Sequence, residues 1–160
     1  MATRRQPDSS MVLRNGEVGD LDAVMSIMGR AFSPCFGEAW TRSQCAGILP
    51  MSGVTLTIAD SEDGPAGFSL VRAVADEAEL LLLAVAPEHQ RHGIGQALLD
   101  CFIDAAHRQG ARKLHLEVRD SNSAMRLYLA AGFVPAGRRR NYYHGSDGSA
   151  FDAVTLMLAD

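Results

Sequence analysis

The sequence predicts an α/β fold, with a mixed central β-sheet flanked by helices on both faces. Three observations carry that expectation. Segments with helical apolar spacing alternate with segments of strand spacing. The stretch Glu79–Val85 is apolar on both sides, as a central strand covered on both faces must be. The chain has 160 residues, 47% of them hydrophobic and 21% charged, which is the size and composition of one globular domain.

The elements follow in order. Residues 1–10 read as a flexible arm ahead of a domain over 11–160, and Met11–Arg14 as a short strand. Asp20 takes an N-cap position, and Leu21, Val24, Met25, Met28, Ala31 and Phe32 form the apolar stripe of the helix behind it. Ser33-Pro34 ends that helix, Phe36-Gly37-Glu38-Ala39 is loop, and Thr41 caps a second short helix that stops before Pro50. Val54–Ala59 and Gly67–Val74 flank the turn residues of 60–64 and read as paired strands, followed by Glu79–Val85. Ile94, Ala97, Leu98, Cys101, Phe102 and Ala105 share one helical face, closed by Gly110.

Lys113–Val118 places Leu114, Leu116 and Val118 on one side and His115 and Glu117 on the other. Ser121-Asn122-Ser123 caps a helix to Ala131, with Gly132 as its stop. Strands over Phe133–Arg140 and Ala153–Leu158, joined by a polar loop from Tyr143 to Asp152, complete the order β-α-α-β-β-β-α-β-α-β-β.

Composition narrows the function. Fifteen Lys+Arg against nineteen Asp+Glu give a net charge of −4, which disfavours direct nucleic-acid binding. The cysteines Cys35, Cys45 and Cys101 are odd in number and form no CxxC pair, as in a reduced cytoplasmic protein. The five histidines show no metal-ligand spacing, so no metal is expected. The longest apolar run, Leu80–Ala86, falls far short of the ~20 residues of a membrane span. The first ten residues lack the apolar region of a secretion signal. The expectation is a cytoplasmic monomer or weak dimer without membrane contact.

Gln90-Arg91-His92-Gly93-Ile94-Gly95 lies between a buried strand and a strong helix. Its glycines allow close backbone approach, and the helix N-terminus favours an anion, so the segment reads as a pyrophosphate cradle or as a tight unliganded connection. No Gly-Lys-Ser/Thr follows, which excludes a Walker loop, and a third glycine is missing for a dinucleotide site. Glu117 alone reads as a solvated strand carboxylate or a general base. Tyr128 lies on an apolar stripe with Ala124, Leu127 and Ala131, so it is a core residue, a site residue or both. Asn122 fits an N-cap. Arg138-Arg139-Arg140-Asn141-Tyr142-Tyr143 reads as an exposed strand end rather than an RNA-stacking patch.

The run from Leu83 to Leu99 resembles the acetyl-coenzyme A motif Q/R-x-x-G-x-G/A of the GCN5-related N-acetyltransferases. Ser121-Asn122-Ser-Ala-Met-Arg-Leu-Tyr128-Leu-Ala-Ala-Gly-Phe133 is similar to their second motif, N…LYxxxGF. The likeness covers about residues 11–158. It implies acetyl-CoA as co-substrate, with a splayed strand whose Leu83, Ala84 and Val85 hold the pantetheine arm. Arg91, His92, Gly93, Ile94, Gly95 and Gln96 would take the pyrophosphate, and Asn122 would contact the cofactor. Backbone N–H groups near Ala84 and Val85 would stabilise the oxyanion.

Leu116-Glu117-Val118-Arg119 and Arg139-Arg140-Asn141-Tyr142-Tyr143 further resemble the bacterial ribosomal-protein-alanine N-acetyltransferases. That resemblance implies direct transfer of acetyl to the N-terminal alanine of a ribosomal protein. Glu117 would be the general base and Tyr128 the general acid, with Tyr142 and Tyr143 walling a peptide groove. Family members often carry aromatic-Pro-Trp-Ser/Thr between the first two helices. Here Trp40 and Thr41 are kept without the proline, and Trp40 is assigned to the substrate side. Two other readings stand beside this one, acetylation of a small amine or lysine side chain and a non-catalytic acetyl-CoA-binding module.

Overall fold

A computed structural model describes residues 11–159; the arm expected over residues 1–10 lies outside them. The elements are strand β1 (Val12–Asn15), helices α1 (Leu21–Ala31) and α2 (Arg42–Ile48), and strands β2 (Val54–Ser61), β3 (Gly64–Val74) and β4 (Glu77–Val85). Then come α3 (Ile94–Arg108), β5 (Lys113–Arg119), α4 (Met125–Ala130), β6 (Val134–His144) and β7 (Ala150–Ala159). The order matches the one read from the sequence. The seven strands form one sheet in the order β1-β2-β3-β4-β5-β7-β6. Only β4 and β5 pair in parallel, so the sheet is mixed.

Both faces of the sheet are covered. On one, Leu21, Val24, Ile27 and Met28 of α1 and Cys45 of α2 pack on Leu56, Ile58, Phe68 and Leu70. On the other, Leu99, Phe102 and Ala106 of α3 and Tyr128 of α4 pack on Leu114, Leu116, Val154 and Leu156. Each fully buried aliphatic or aromatic side chain stabilises the fold by about 1.5–3 kcal/mol. Burial of this kind, rather than helix propensity, is what can hold a six-residue helix such as α4.

Four local readings change. The buried stripe of α1 includes Ile27, whereas Met25 is only partly covered. Asp20 precedes α1, but its carboxylate accepts from the Glu17 N–H and the Arg14 guanidinium rather than capping the helix. Helix α4 starts at Met125, because Asn122 Oδ1 closes a tight turn by accepting from the Ala124 N–H at 2.8 Å. Strand β6 runs on to His144, pairing Tyr143 with Phe151 and His144 with Ala150, where the sequence suggested a loop. As an exposed edge strand it has no apolar alternation to betray it.

Two irregularities shape the site. Leu70 and Val71 of β3 face Leu82 and Leu80 of β4, so Leu81 is an extra residue, a β-bulge. The bulge turns the buried side of β4 over: Ala78 and Leu80 join the α3 core, while Leu82 and Ala84 join the α1 core. The β4–β5 pairing stops at Leu80–Leu116, beside the bulge. Beyond that point the two strands part. The second irregularity is in β6, where four residue steps from Arg139 to Tyr143 face two on β7, from Ala153 to Phe151. Asn141 sits there at φ +52°, with its N–H bonded to Asp152 Oδ1.

The loop between α1 and α2 is fastened to the end of the β6–β7 hairpin. Phe36 meets Phe151 edge-on at 5.4 Å, and the Ser146 N–H donates to Pro34 O at 3.1 Å. Gly37 has φ +68°, and a Cβ there would lie 2.0 Å from His144 O. The Gly37→Ala variant should therefore lose about 1–3 kcal/mol of stability, the usual scale of a forced backbone conformation. A lower urea midpoint at unchanged slope is the expected measurement.

Candidate active site

The parting of β4 and β5 opens a cleft of about 940 Å³ through the sheet. Its first wall is the free edge of β4. The Ala86 N–H donates to Ala66 O on the β3 side. Because peptide groups alternate along a strand, Ala84 also faces β3, whereas Leu83 and Val85 turn theirs to the gap. Gln90 Nε2 reaches Val85 O there at 3.0 Å. Leu83 and the Val85 N–H thus offer an open strand edge, the Val85 carbonyl being taken by Gln90, and Ala84 contributes a buried side chain rather than free backbone groups.

The loop after β4 continues that wall. Arg91 and Gly93 both have left-handed backbone conformations, at φ +66° and +83°. The first bond of the α3 ladder runs from the Ala97 N–H to Gly93 O, so the N–H groups of Ile94, Gly95 and Gln96 stand outside it, at the positive end of a fifteen-residue helix. Arg91, Gly93, Gly95 and Gln96 line the cleft. His92 is exposed and does not line it, and the Ile94 side chain is buried against Ala59, Ala66 and Leu98, leaving only its backbone for a ligand. A Cβ on Gly95 would touch Leu127 and Val85 at 3.6 and 3.8 Å, ordinary contacts.

Glu117 projects into the middle of the cleft from β5, on the face opposite Leu116 and Val118. Its carboxylate is 17% exposed and is met by Arg139 Nε at 2.6 Å, while the Arg139 side chain itself is 64% exposed. The Tyr143 hydroxyl donates to the Glu117 carbonyl at 3.5 Å. Tyr142 and Tyr143 stack edge-on 5.0 Å apart at the mouth. Burial, joined by the charge of Glu117, holds the Tyr142 phenol above its usual range. Trp40 faces the same mouth from the α1–α2 loop. Two of the three β6 arginines are paired, Arg138 with Asp120 and Asp152, and Arg139 with Glu117.

Tyr128 belongs to the core and also borders the cleft. Its ring is buried in the α3–α4 core, edge-on to Phe133 at 6.3 Å, and it also lines the cleft. Burial, and after it the charge of Glu38, raises its phenol well above the ordinary range. Asn122 lines the cleft as expected, but its amide is engaged by protein groups: Oδ1 by the Ala124 N–H, and Nδ2 by Glu38 Oε2 at 2.6 Å.

The chain matches the model of the acetyltransferase (GNAT) family over residues 21–133. It belongs to that family. An Escherichia coli (strain K12) protein named ribosomal protein bS18-alanine N-acetyltransferase is 46% identical over 94 residues, 58% of this chain and 63% of that protein. A Haemophilus influenzae protein of the same name is 40% identical over 90 residues, 56% of this chain and 62% of its own length. The aligned chain therefore spans just under two thirds of these curated relatives. The crystal structure of the E. coli ribosomal-protein-S18-alanine N-acetyltransferase superposes over 93% of both chains, with TM-score 0.84 and 35% identity.

Two residues of this GNAT cleft escaped the sequence reading, Glu38 and Arg119. Arg119 Nε pairs with Glu38 Oε1 at 3.0 Å, with the two side chains only 9% and 10% exposed. The Arg119 guanidinium lies over the Phe36 ring at 3.7 Å. Strand alternation puts Arg119 on the Glu117 face, which is a signal; nothing local marks its partner, 81 residues away.

Among the described residues of this GNAT chain no group of three His, Cys, Asp or Glu could hold a metal, and no helix is long and apolar enough to cross a membrane. The Tyr128 phenol supplies a pH test. Its folded value is raised above the unfolded one of ~10. The stability this represents is complete below about pH 10 and is lost as pH rises from there through the folded value. Tyr128→Phe, with no phenol to ionise, should lose urea stability less steeply than the native chain above pH ~10. Parallel losses in the two proteins would count against a titrating Tyr128.

Proposed function

We propose that this chain is an acetyl-CoA-dependent N-α-acetyltransferase that acetylates the N-terminal alanine of a ribosomal protein in the cytoplasm. The observation that carries the reading is one continuous cleft. It joins an open strand edge and a helix N-terminus to an aromatic mouth, with Glu117 and Tyr128 along it. The likeness to relatives named for the S18 N-terminal alanine supports the substrate class.

The residues fit the co-substrate. Leu83 and the Val85 N–H offer strand-type hydrogen bonds to the amides of a pantetheine arm, and the N–H groups from Gly93 to Gln96 suit a pyrophosphate. Acetyl-CoA, when bound, supplies an acetyl group activated as a thioester. The protein supplies the proton transfers. A peptide α-amine with pKa ~8 is mostly protonated at neutral pH, so a base must take a proton before or during attack. Glu117 accepts it, directly or through a water. A cationic N-terminus entering the cleft replaces Arg139, whose exposed side chain is free to leave toward solvent. Tyr128 gives its phenol proton to the departing thiolate sulfur. The phenol carries that proton at neutral pH, as an ordinary phenol of pKa ~10 already does. Holding amine and thioester side by side makes the attack effectively intramolecular.

Glu117→Gln keeps the shape but cannot accept the proton. Turnover on an alanine-starting peptide should fall by roughly 10²–10⁴-fold at neutral pH, and raising the pH should partly restore it. Full activity at pH 7 would remove Glu117 as the base. Gly95→Val should leave the fold intact and weaken acetyl-CoA binding by more than about tenfold, or ~1.4 kcal/mol, in calorimetry. Unchanged affinity would sink the placement of the pyrophosphate. Thiol release driven by alanine-starting peptides, and not by free amines, is the test of the reading as a whole.

A further inference from the structure

The acetyltransferase reading uses Glu117 and Tyr128 and leaves a second buried carboxylate unexplained. Glu38 stands in the α1–α2 loop, 10% exposed, with one oxygen on Arg119 Nε and the other on Asn122 Nδ2. Both oxygens are therefore engaged, which excludes Glu38 as a second free base. What it joins is informative. The loop is the peptide-side wall of the cleft, contributing Phe36 and Trp40. Arg119 ends β5, two residues after Glu117. Asn122 is in the turn that sets the start of α4, through its bond to the Ala124 N–H, and α4 carries Tyr128.

We propose that Glu38 is a positioning residue for peptide binding: gripped by Arg119 and Asn122, its carboxylate ties the α1–α2 loop to the β5–α4 turn and fixes the peptide-side wall of the cleft relative to Glu117 and Tyr128. The inference rests on the transferase reading for its functional meaning. Three features favour it over a general structural role. The pair is buried, so removing one partner leaves a charge without compensation, and the tie holds or fails as a unit. The Arg119 guanidinium lies over the Phe36 ring at 3.7 Å, and that ring meets Phe151 edge-on, which joins the same loop to β7. Finally, the charge of Glu38 acts on both Tyr128 and Tyr143, which line the same cleft.

The chain carries its own reporter. Trp40 is its single tryptophan and stands in this loop. In Glu38→Gln, collisional quenching of Trp40 fluorescence by acrylamide should rise while far-ultraviolet circular dichroism stays native. The KM for an alanine-starting peptide should rise by about tenfold or more, since ångström-scale misplacement of a bound group costs up to ~10²-fold. Acetyl-CoA affinity by calorimetry should be unchanged, because the cofactor wall lies on β4 and α3. Asn122→Asp gives an independent cut: it keeps the acceptor for the Ala124 N–H but sets a carboxylate against Glu38, and the same rise in peptide KM is expected.

Native Trp40 quenching in both variants overturns the tie. Raised quenching with unchanged peptide KM overturns its role in peptide binding, as does an equal loss of peptide and acetyl-CoA affinity. Should Glu38→Gln fail to fold, Asn122→Asp decides by Trp40 quenching and peptide KM alone, since Asn122 itself is expected to contact the cofactor. If the native chain acetylates no alanine-starting peptide, the transferase reading falls, and the quenching measurement alone judges the tie.

Discussion

The site depends on one backbone irregularity, the extra residue Leu81 in β4. It costs a regular ladder position and turns the strand's buried side from the α3 core to the α1 core. Pairing with β5 ends beside it, at Leu80–Leu116, and the strands diverge. A parallel pair normally closes its polar edges on each other, and an open edge inside a sheet leaves N–H and C=O groups needing partners. Here the edge lines the cleft, with Leu83 and Val85 turned into it. The strand is held in that posture because Leu82 and Ala84 are buried beneath α1 on one side and Leu80 beneath α3 on the other.

Around this gap the chain arranges charge with care. Glu117 is kept on the accessible side of β5 and is paired with an exposed arginine. Arg119, two residues on, is buried and bound on several sides. Alternation puts both on one face, yet their surroundings differ because β5 runs from the open cleft into the packed loop and hairpin. One carboxylate, Glu117, stays on the accessible face; the other, Glu38, is held at both oxygens by Arg119 and Asn122.

The two tyrosines at the mouth owe their placement to the β6 irregularity. Two extra residues and a left-handed Asn141 re-aim the strand just past the register of Arg119. Without that local twist an edge strand would alternate its side chains across both faces, and Tyr142 and Tyr143 could not both line the cleft.

Much of the protein was determined by the sequence itself. Periodicity was enough for every helix and strand in order, because apolar stripes on α1 and α3 and alternation on β5 are local consequences of which side faces the core. The Gly93–Gly95 loop was legible as a close-approach turn; spacing alone left Glu117 and Tyr128 with structural readings too, and only the family resemblance singled them out. Tertiary structure decided the rest. The extension of β6 through Tyr143 was hidden because an edge strand exposed on both sides carries no apolar rhythm. The turning of Ala84 toward β3, and of the Ile94 side chain into the core, depends on which neighbours flank each strand and helix. Glu38 meets Arg119 and Asn122 across more than eighty residues, and no periodicity links positions so far apart. Only the folded chain, by stapling the α1–α2 loop to the β6–β7 hairpin, brings that carboxylate to its partners.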